Sequence, residues 1–125
     1  MRQSLLALAA ATALLAIAAA PVSAGEADKK TVEQVYLQKD QLAGKPVQLS
    51  GKVVKVNNGI MHRNFLHIQD GSGKDGTNDI IITSKDTAAV GDMINATGIV
   101  ILNRDFGMGY SYPVLVEEAR ISKSK

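Results

Sequence analysis

The chain has 125 residues, a formal net charge of +2 and no cysteine. The lack of cysteine excludes a CxxCH haem attachment, a thiol nucleophile, a cysteine zinc site and any disulfide. A charge this near zero gives no electrostatic ground for nucleic acid as partner.

The N-terminal segment differs from the rest. Arg2 gives a short positive start, Leu5 to Ala20 is an apolar run, Pro21 breaks it, and Val22-Ser23-Ala24 offers small residues for a signal peptidase. Residues 1–24 therefore read as a secretory signal peptide cleaved after Ala24. The run falls short of the ~20 apolar residues of a spanning helix and has no cationic stop-transfer flank. The expected location is periplasmic or secreted. Residues 25–44 then form an N-terminal arm and helix, and 45–125 one β-rich unit. An exported chain without disulfides must be held by its hydrophobic core.

Thr31 to Ala43 predicts a helix. Thr31 with Gln34 is a capping box. Val32, Val35, Tyr36, Lys39 and Leu42 recur at helical spacing, and Gly44 suits a left-handed stop. From Val47 the period becomes two, with Val47, Leu49, Gly51 and Val53 on one face. The phase then slips to Val54 and Val56, which predicts a bulge and a bend beside Gly51. Asn57-Asn58-Gly59 marks the end of this first strand. Asn64 to Gln69 is the second, with Leu66 and Ile68 inward and Phe65, His67 and Gln69 outward. Asp70 to Asn78 is a glycine-rich turn, and Asp79 to Thr83 the third strand. Lys85 to Val90 has room for one helical turn. Asp92 to Asn103 is the fourth strand, and Tyr112 to Ile121 the fifth, with Pro113 suited to an edge.

Five strands, a bent first strand and a connector between strands three and four describe an all-β, five-stranded OB-fold barrel with an N-terminal α-helix. That fold binds ligands on the outer face of strands two and three and through the one-two and four-five loops. Both unusual loops of this chain fall there. The candidate binding residues are Arg63, Asn64, Phe65 and His67, with Phe106, Tyr110 and Tyr112 of the DFGMGYS loop; the favoured reading of that loop is a structural lid, with Phe65 packed beneath it to close the barrel mouth.

Other chemistries compete for the same residues. Met61, His62, His67 and Met108 combine thioether and imidazole, a donor set suited to Cu(I). Phe65 and His67, with Arg63 and the tyrosines, could stack nucleic-acid bases, yet such a platform needs several aromatics and a basic groove. The chain has two Phe, three Tyr and no Trp. GSGK at 71–74 lacks the first glycine and the Ser/Thr of a phosphate loop and reads as a hairpin turn. Ser72, Ser84 and Ser111 have no base in a partner pattern. Glu117 and Glu118 are neighbours on a strand, so they face opposite ways and read as a charged edge. The expectation is a non-enzymatic binding module or accessory protein without a resident cofactor; copper binding and single-stranded nucleic-acid binding are the alternatives.

The stretch GKVVKVNNGIMHRNFLHIQDGSG, followed by NDIIIT, VGD and DFGMGYSYPVLVEEA, resembles a family of small exported bacterial OB-fold proteins of the M-G-R-N-W-x-H-x-Q-D-G type. The likeness covers nearly all of the chain after residue 24. It implies an OB fold often described as nucleic-acid-binding-like, and a partner in a respiratory or cytochrome system. Two positions depart from the pattern. His62 stands where the family has glycine, which adds a potential ligand. Phe65 stands where it has tryptophan, which weakens a stacking platform.

Overall fold

The computed structural model describes residues 27–124. The signal-peptide reading of residues 1–24 lies outside them. The elements in chain order are β1 (Asp28–Lys29), α1 (Val32–Leu37), α2 (Lys39–Leu42), β2 (Pro46–Ile60), β3 (Arg63–Gln69), β4 (Ile80–Ser84), β5 (Met93–Asp105) and β6 (Ser111–Lys123). The chain is mostly β, with six strands rather than five and two short helices rather than one. The sheet order is β1-β2-β3-β4-β6-β5, and β2 also pairs with β5, which curls the sheet into a partial ring. This arrangement is OB-like.

The extra strand is β1, two residues that pair parallel with Val47 and Gln48 of β2. No side-chain pattern is visible in so short a strand. The helix divides because Gln38 leaves helical geometry, at φ −109° and ψ 17°. Its start matches the expected capping box: Gln34 N–H donates to the Thr31 hydroxyl at 3.1 Å, and Thr31 N–H donates to Gln34 Oε1 at 2.9 Å. Val32, Val35 and Leu42 are buried in the core with residues from every long strand, including Leu49, Leu66, Ile82, Ile94 and Val116.

Besides short β1, β2 serves two long partners. Pro46 to Lys52 pairs with β5, and Lys52 to Ile60 pairs with β3. The handover falls beside Gly51, where an added Cβ would lie 2.7 Å from the Gln69 carbonyl oxygen. Only glycine permits that approach, so the bend read from the phase slip has a steric cause. The register shift between Val53 and Lys55 marks the bulge.

The first long strand does not end at Asn57-Asn58-Gly59. β2 continues through these residues across a second irregularity, and the chain reverses at Met61 and His62, between paired Ile60 and Arg63. Both turn residues are left-handed, with φ of 51° and 66°. Such turns favour Asn-Gly, and each non-glycine residue there costs about 1–2 kcal/mol. Pro113 is not on an edge strand, because β6 lies between β4 and β5. It is tolerated because pairing with β4 begins only at Leu115. The segment 85–90 forms no helical turn. Among the described residues no helix is long and apolar enough to cross a membrane.

Candidate functional site

The alternation along β3 sends Leu66 and Ile68 into the ring and Phe65 and His67 outward. On the outward face, Phe65 meets Ile81 of β4 and Leu115 of β6, and the three form a second apolar cluster outside the main core. Phe65 has no exposed surface. The loop between β5 and β6 closes over it. The Phe106 ring meets Phe65 edge-on at 5.2 Å, and the Tyr110 and Tyr112 rings lie at 5.4 and 6.1 Å. Edge and tilted contacts at these distances suit the quadrupoles of aromatic rings. Burial, and then neighbouring Tyr110, push the Tyr112 hydroxyl pKa up. The loop is closed by the Phe106 N–H to Tyr110 carbonyl bond at 2.7 Å and by Gly107 N–H donating to Asp105 Oδ1 at 2.8 Å.

One carboxylate holds this lid in register. Glu117 is 5% exposed. Its Oε1 accepts from Arg63 at 3.2 Å and its Oε2 from Arg104 at 3.1 Å. Both guanidinium groups also lie over the Phe106 ring, at 5.1 and 4.7 Å from its centre. Cation–π contact and charge-assisted hydrogen bonding therefore act together on the loop. The reading of Glu117 and Glu118 as a solvated edge fails for Glu117. Glu118 is exposed and sits at φ 53° in a bulge, but β6 is an inner strand, so neither residue forms an edge. The alternation that would set the pair on opposite faces breaks at this bulge, because Val116 and Ala119 both join the main core. The two arginine partners were not legible in the sequence, because they reach Glu117 from β3 and β5 only in the folded sheet.

The predicted binding residues thus have different fates. Arg63, Phe65, Phe106, Tyr110 and Tyr112 come together. Phe65 is enclosed by the other rings and has no exposed surface. Asn64 is spent on structure: its Oδ1 accepts from Gly59 N–H at 2.9 Å, and its Nδ2 donates to the Asp86 carbonyl at 3.0 Å. His67 belongs to another environment, where Nδ1 donates to Asp79 Oδ1 at 3.0 Å. The four soft-metal candidates sit in different surroundings. Met61 packs on the Phe65 cluster, His62 stands beside a cleft, His67 is paired with Asp79, and Met108 stands 86% exposed at the loop tip. Among the described residues no three His, Asp or Glu side chains are placed to share a metal ion.

Sequence reasoning missed that cleft, which has a volume of about 470 Å³. Residues 83–86, at the end of β4 and the turn after it, form one wall. The bulge 118–120 of β6 forms another, and His62 and Arg63 stand at its rim. It exists because β4 and β6 run parallel with a register shift between Ile82 and Ser84. Hydrogen bonds fix the walls: Glu118 N–H donates to the Thr83 hydroxyl at 3.2 Å, and Asp86 Oδ2 accepts from Ile121 N–H at 2.9 Å. The side chains that line it, among them Arg63, Thr83, Lys85 and Arg120, are scattered along the sequence. Their convergence depends on a parallel pairing that strand periodicity does not reveal.

The other glycine-rich loop, between β3 and β4, has a structural task. Asp70 Oδ2 accepts from Val32 N–H at 2.9 Å, and the Ser72 hydroxyl accepts from Glu33 N–H at 3.0 Å. These oxygens take up free donors at the start of α1 and dock it on the ring. Burial works against the Asp70 carboxylate, but bonds from the Ser72 hydroxyl and the Val32 and Ser72 N–H groups outweigh it and lower its pKa. The GSGK segment is thus a turn, as expected, and an anchor for the helix.

No protein-family model matches the chain, and no curated protein matches it. Similar solved structures include a protein described as a putative aspartyl-tRNA synthetase from Leishmania major Friedlin. It is 11% identical, covers 86% of this chain and 22% of its own, and has a TM-score of 0.57. This chain therefore spans under a quarter of that protein's length. Two OBody proteins bound to hen egg-white lysozyme, AM3L09 and AM1L10, are 14% and 15% identical. They cover 68% and 67% of this chain and 88% and 85% of theirs, with TM-scores of 0.47 and 0.43. At these identities the likeness to the synthetase is one of fold alone, and the OBody scores add nothing to it.

Proposed function

We propose that this chain is a non-enzymatic binding module, with β2 to β6 as the five strands of an OB-fold barrel. The partner or ligand seats in the cleft between the end of β4, the bulge of β6 and the Met61–His62 turn. One observation carries this reading. The cleft lies on the outward face of β3 and β4, next to a hairpin whose two turn residues both hold left-handed geometry. Backbone strain of this kind gathers at functional sites. The volume falls within the ~300–1,000 Å³ of small-ligand pockets. The aromatic lid bounds the site and its rings are mutually satisfied, so base stacking on Phe65 is disfavoured. Export, with removal of residues 1–24, and an accessory role beside an exported partner system complete the reading. The resemblance of the Gly51–Gly73 stretch supports them.

The test is an amide-shift NMR screen of the folded chain against a mixed set of small molecules and short peptides. Shifts should gather at residues 83–86, 118–120 and His62. Hits confined to the His67–Asp79 region or scattered over the surface would sink the proposal. Intact mass of the exported protein checks cleavage after Ala24.

A further inference from the structure

The geometry points to a small organic anion, one carrying a single carboxylate or phosphate group, as the ligand class of the cleft. This inference rests on the cleft being the binding site. Arg63, Lys85 and Arg120 line it, with His62 at the rim. Arg63 meets Glu117 through Nη1, and a guanidinium has five N–H donors in a planar fork, so most of its donors stay available. Among the described residues Lys85 and Arg120 enter no ion pair. Of the two acids at the cleft, Asp86 already accepts the Ile121 N–H. That leaves the Glu118 carboxylate as the acid group without a hydrogen-bond partner among the described residues.

A second observation comes from Thr83. It lines the cleft yet is 2% exposed. Its hydroxyl oxygen accepts from Glu118 N–H at 3.2 Å. Its own proton has no acceptor among the described residues. A hydroxyl has one donor to give, and a buried donor left unmet is costly. A ligand oxygen in the cleft would meet it. An oxyanion satisfies the hydroxyl and the flanking cations together, through charge-assisted hydrogen bonds. A polyanion fits poorly. A nucleic-acid strand needs a cationic groove along its backbone, and here Asp86 and Glu118 stand among the cations. The ligand is therefore one anionic group on an otherwise uncharged body.

The decisive experiment is an NMR titration of the folded chain at constant ionic strength with acetate, inorganic phosphate, acetamide, ethylammonium and a 12-nucleotide single-stranded DNA. Acetate or phosphate should give saturable shifts at residues 83–86 and 118–120, and their relative affinities separate carboxylate from phosphate recognition. The double variant Lys85→Gln/Arg120→Gln should weaken that binding about tenfold, the equivalent of ~1.4 kcal/mol. Both positions are exposed, so folding should survive. Thr83→Val should weaken it about threefold while the amides of β4 and β6 around the substituted position keep their native shift pattern. Silence from both anions overturns the inference, as does affinity that the double variant leaves unchanged. If acetamide or ethylammonium alone moves the cleft amides, the anion class falls and the binding module stands. If only the DNA does so, the anion class falls in favour of a nucleic-acid site.

Discussion

The two glycine-rich loops invite comparison. The β3–β4 turn and the β5–β6 loop look alike in sequence, each with glycines beside an acid and small polar residues. The first is held by polar atoms: Asp70 and Ser72 take N–H groups of α1, and Lys74 N–H donates to the Thr77 hydroxyl at 3.1 Å. The second is held by rings and by Glu117, which binds two arginines that cover Phe106. The difference teaches that glycine content announces a reversal and says little about its purpose. What the loop grips depends on residues that arrive from other strands. The polar anchor closes an end of the ring; the aromatic lid roofs part of its outer face.

Breaking each loop separately sharpens this contrast. Phe65→Ala should have the largest effect, about 3–5 kcal/mol of stability, because a fully buried ring leaves a cavity. Chemical denaturation measures the loss, and hydrogen exchange should quicken at 106–112 before it does in α1. Glu117→Gln should follow, at about 1.5–3 kcal/mol, since it weakens two hydrogen bonds to charged partners. Added salt should narrow the gap to wild type only modestly, because the carboxylate is buried. Equal protection of the lid in both proteins would show that the rings alone hold it.

Gly73→Ala should cost about 1–3 kcal/mol. Gly73 sits at φ +80°, and a Cβ there would collide with the Thr77 carbonyl. Here the helix should loosen while the lid signals stay. Asp70→Asn should cost about 0.5–2 kcal/mol at neutral pH, and its effect should depend on pH. The folded pKa of Asp70 is depressed. Its contribution is therefore present above the unfolded pKa, near ~3.9, and fades as pH falls through the lower folded value. Wild type and variant should converge in denaturation midpoint over that acid range. A gap that persists there would mean that Asp70 does not act through its charge.

Met108→Gly should have the smallest effect, a gain of about 1 kcal/mol or less. Met108 holds φ 58° at an exposed tip between two glycines, and glycine removes the left-handed penalty. A loss instead would assign the thioether a packing role in the lid.

Local chemistry made much of this molecule legible in advance. The Thr31–Gln34 cap, the inward Leu66 and Ile68, the outward Phe65 and His67, and the bend at Gly51 follow from side chains and alternation. The end of the first long strand did not. Asn57-Asn58-Gly59 carries the standard turn residues, yet the reversal falls on Met61 and His62. The long pairing of β2 with β3 and the packing of Ile60 and Met61 on the Phe65 cluster override local preference there. The site was half legible: Arg63 and the four rings gather as read, whereas His67 and Asn64 are engaged elsewhere.

The sequence by itself determined the order of the five long strands, most of the inward-facing residues, and the two loops that could shape a surface. These depend on period, glycine and capping, which act within a few residues. Tertiary structure decided that Glu117 holds two arginines and that Thr83, Lys85 and Arg120 share a cleft with Arg63. Those outcomes hang on the parallel pairing of β4 with β6 and on register shifts that no single strand encodes, because a strand's pattern fixes its faces but not its neighbours.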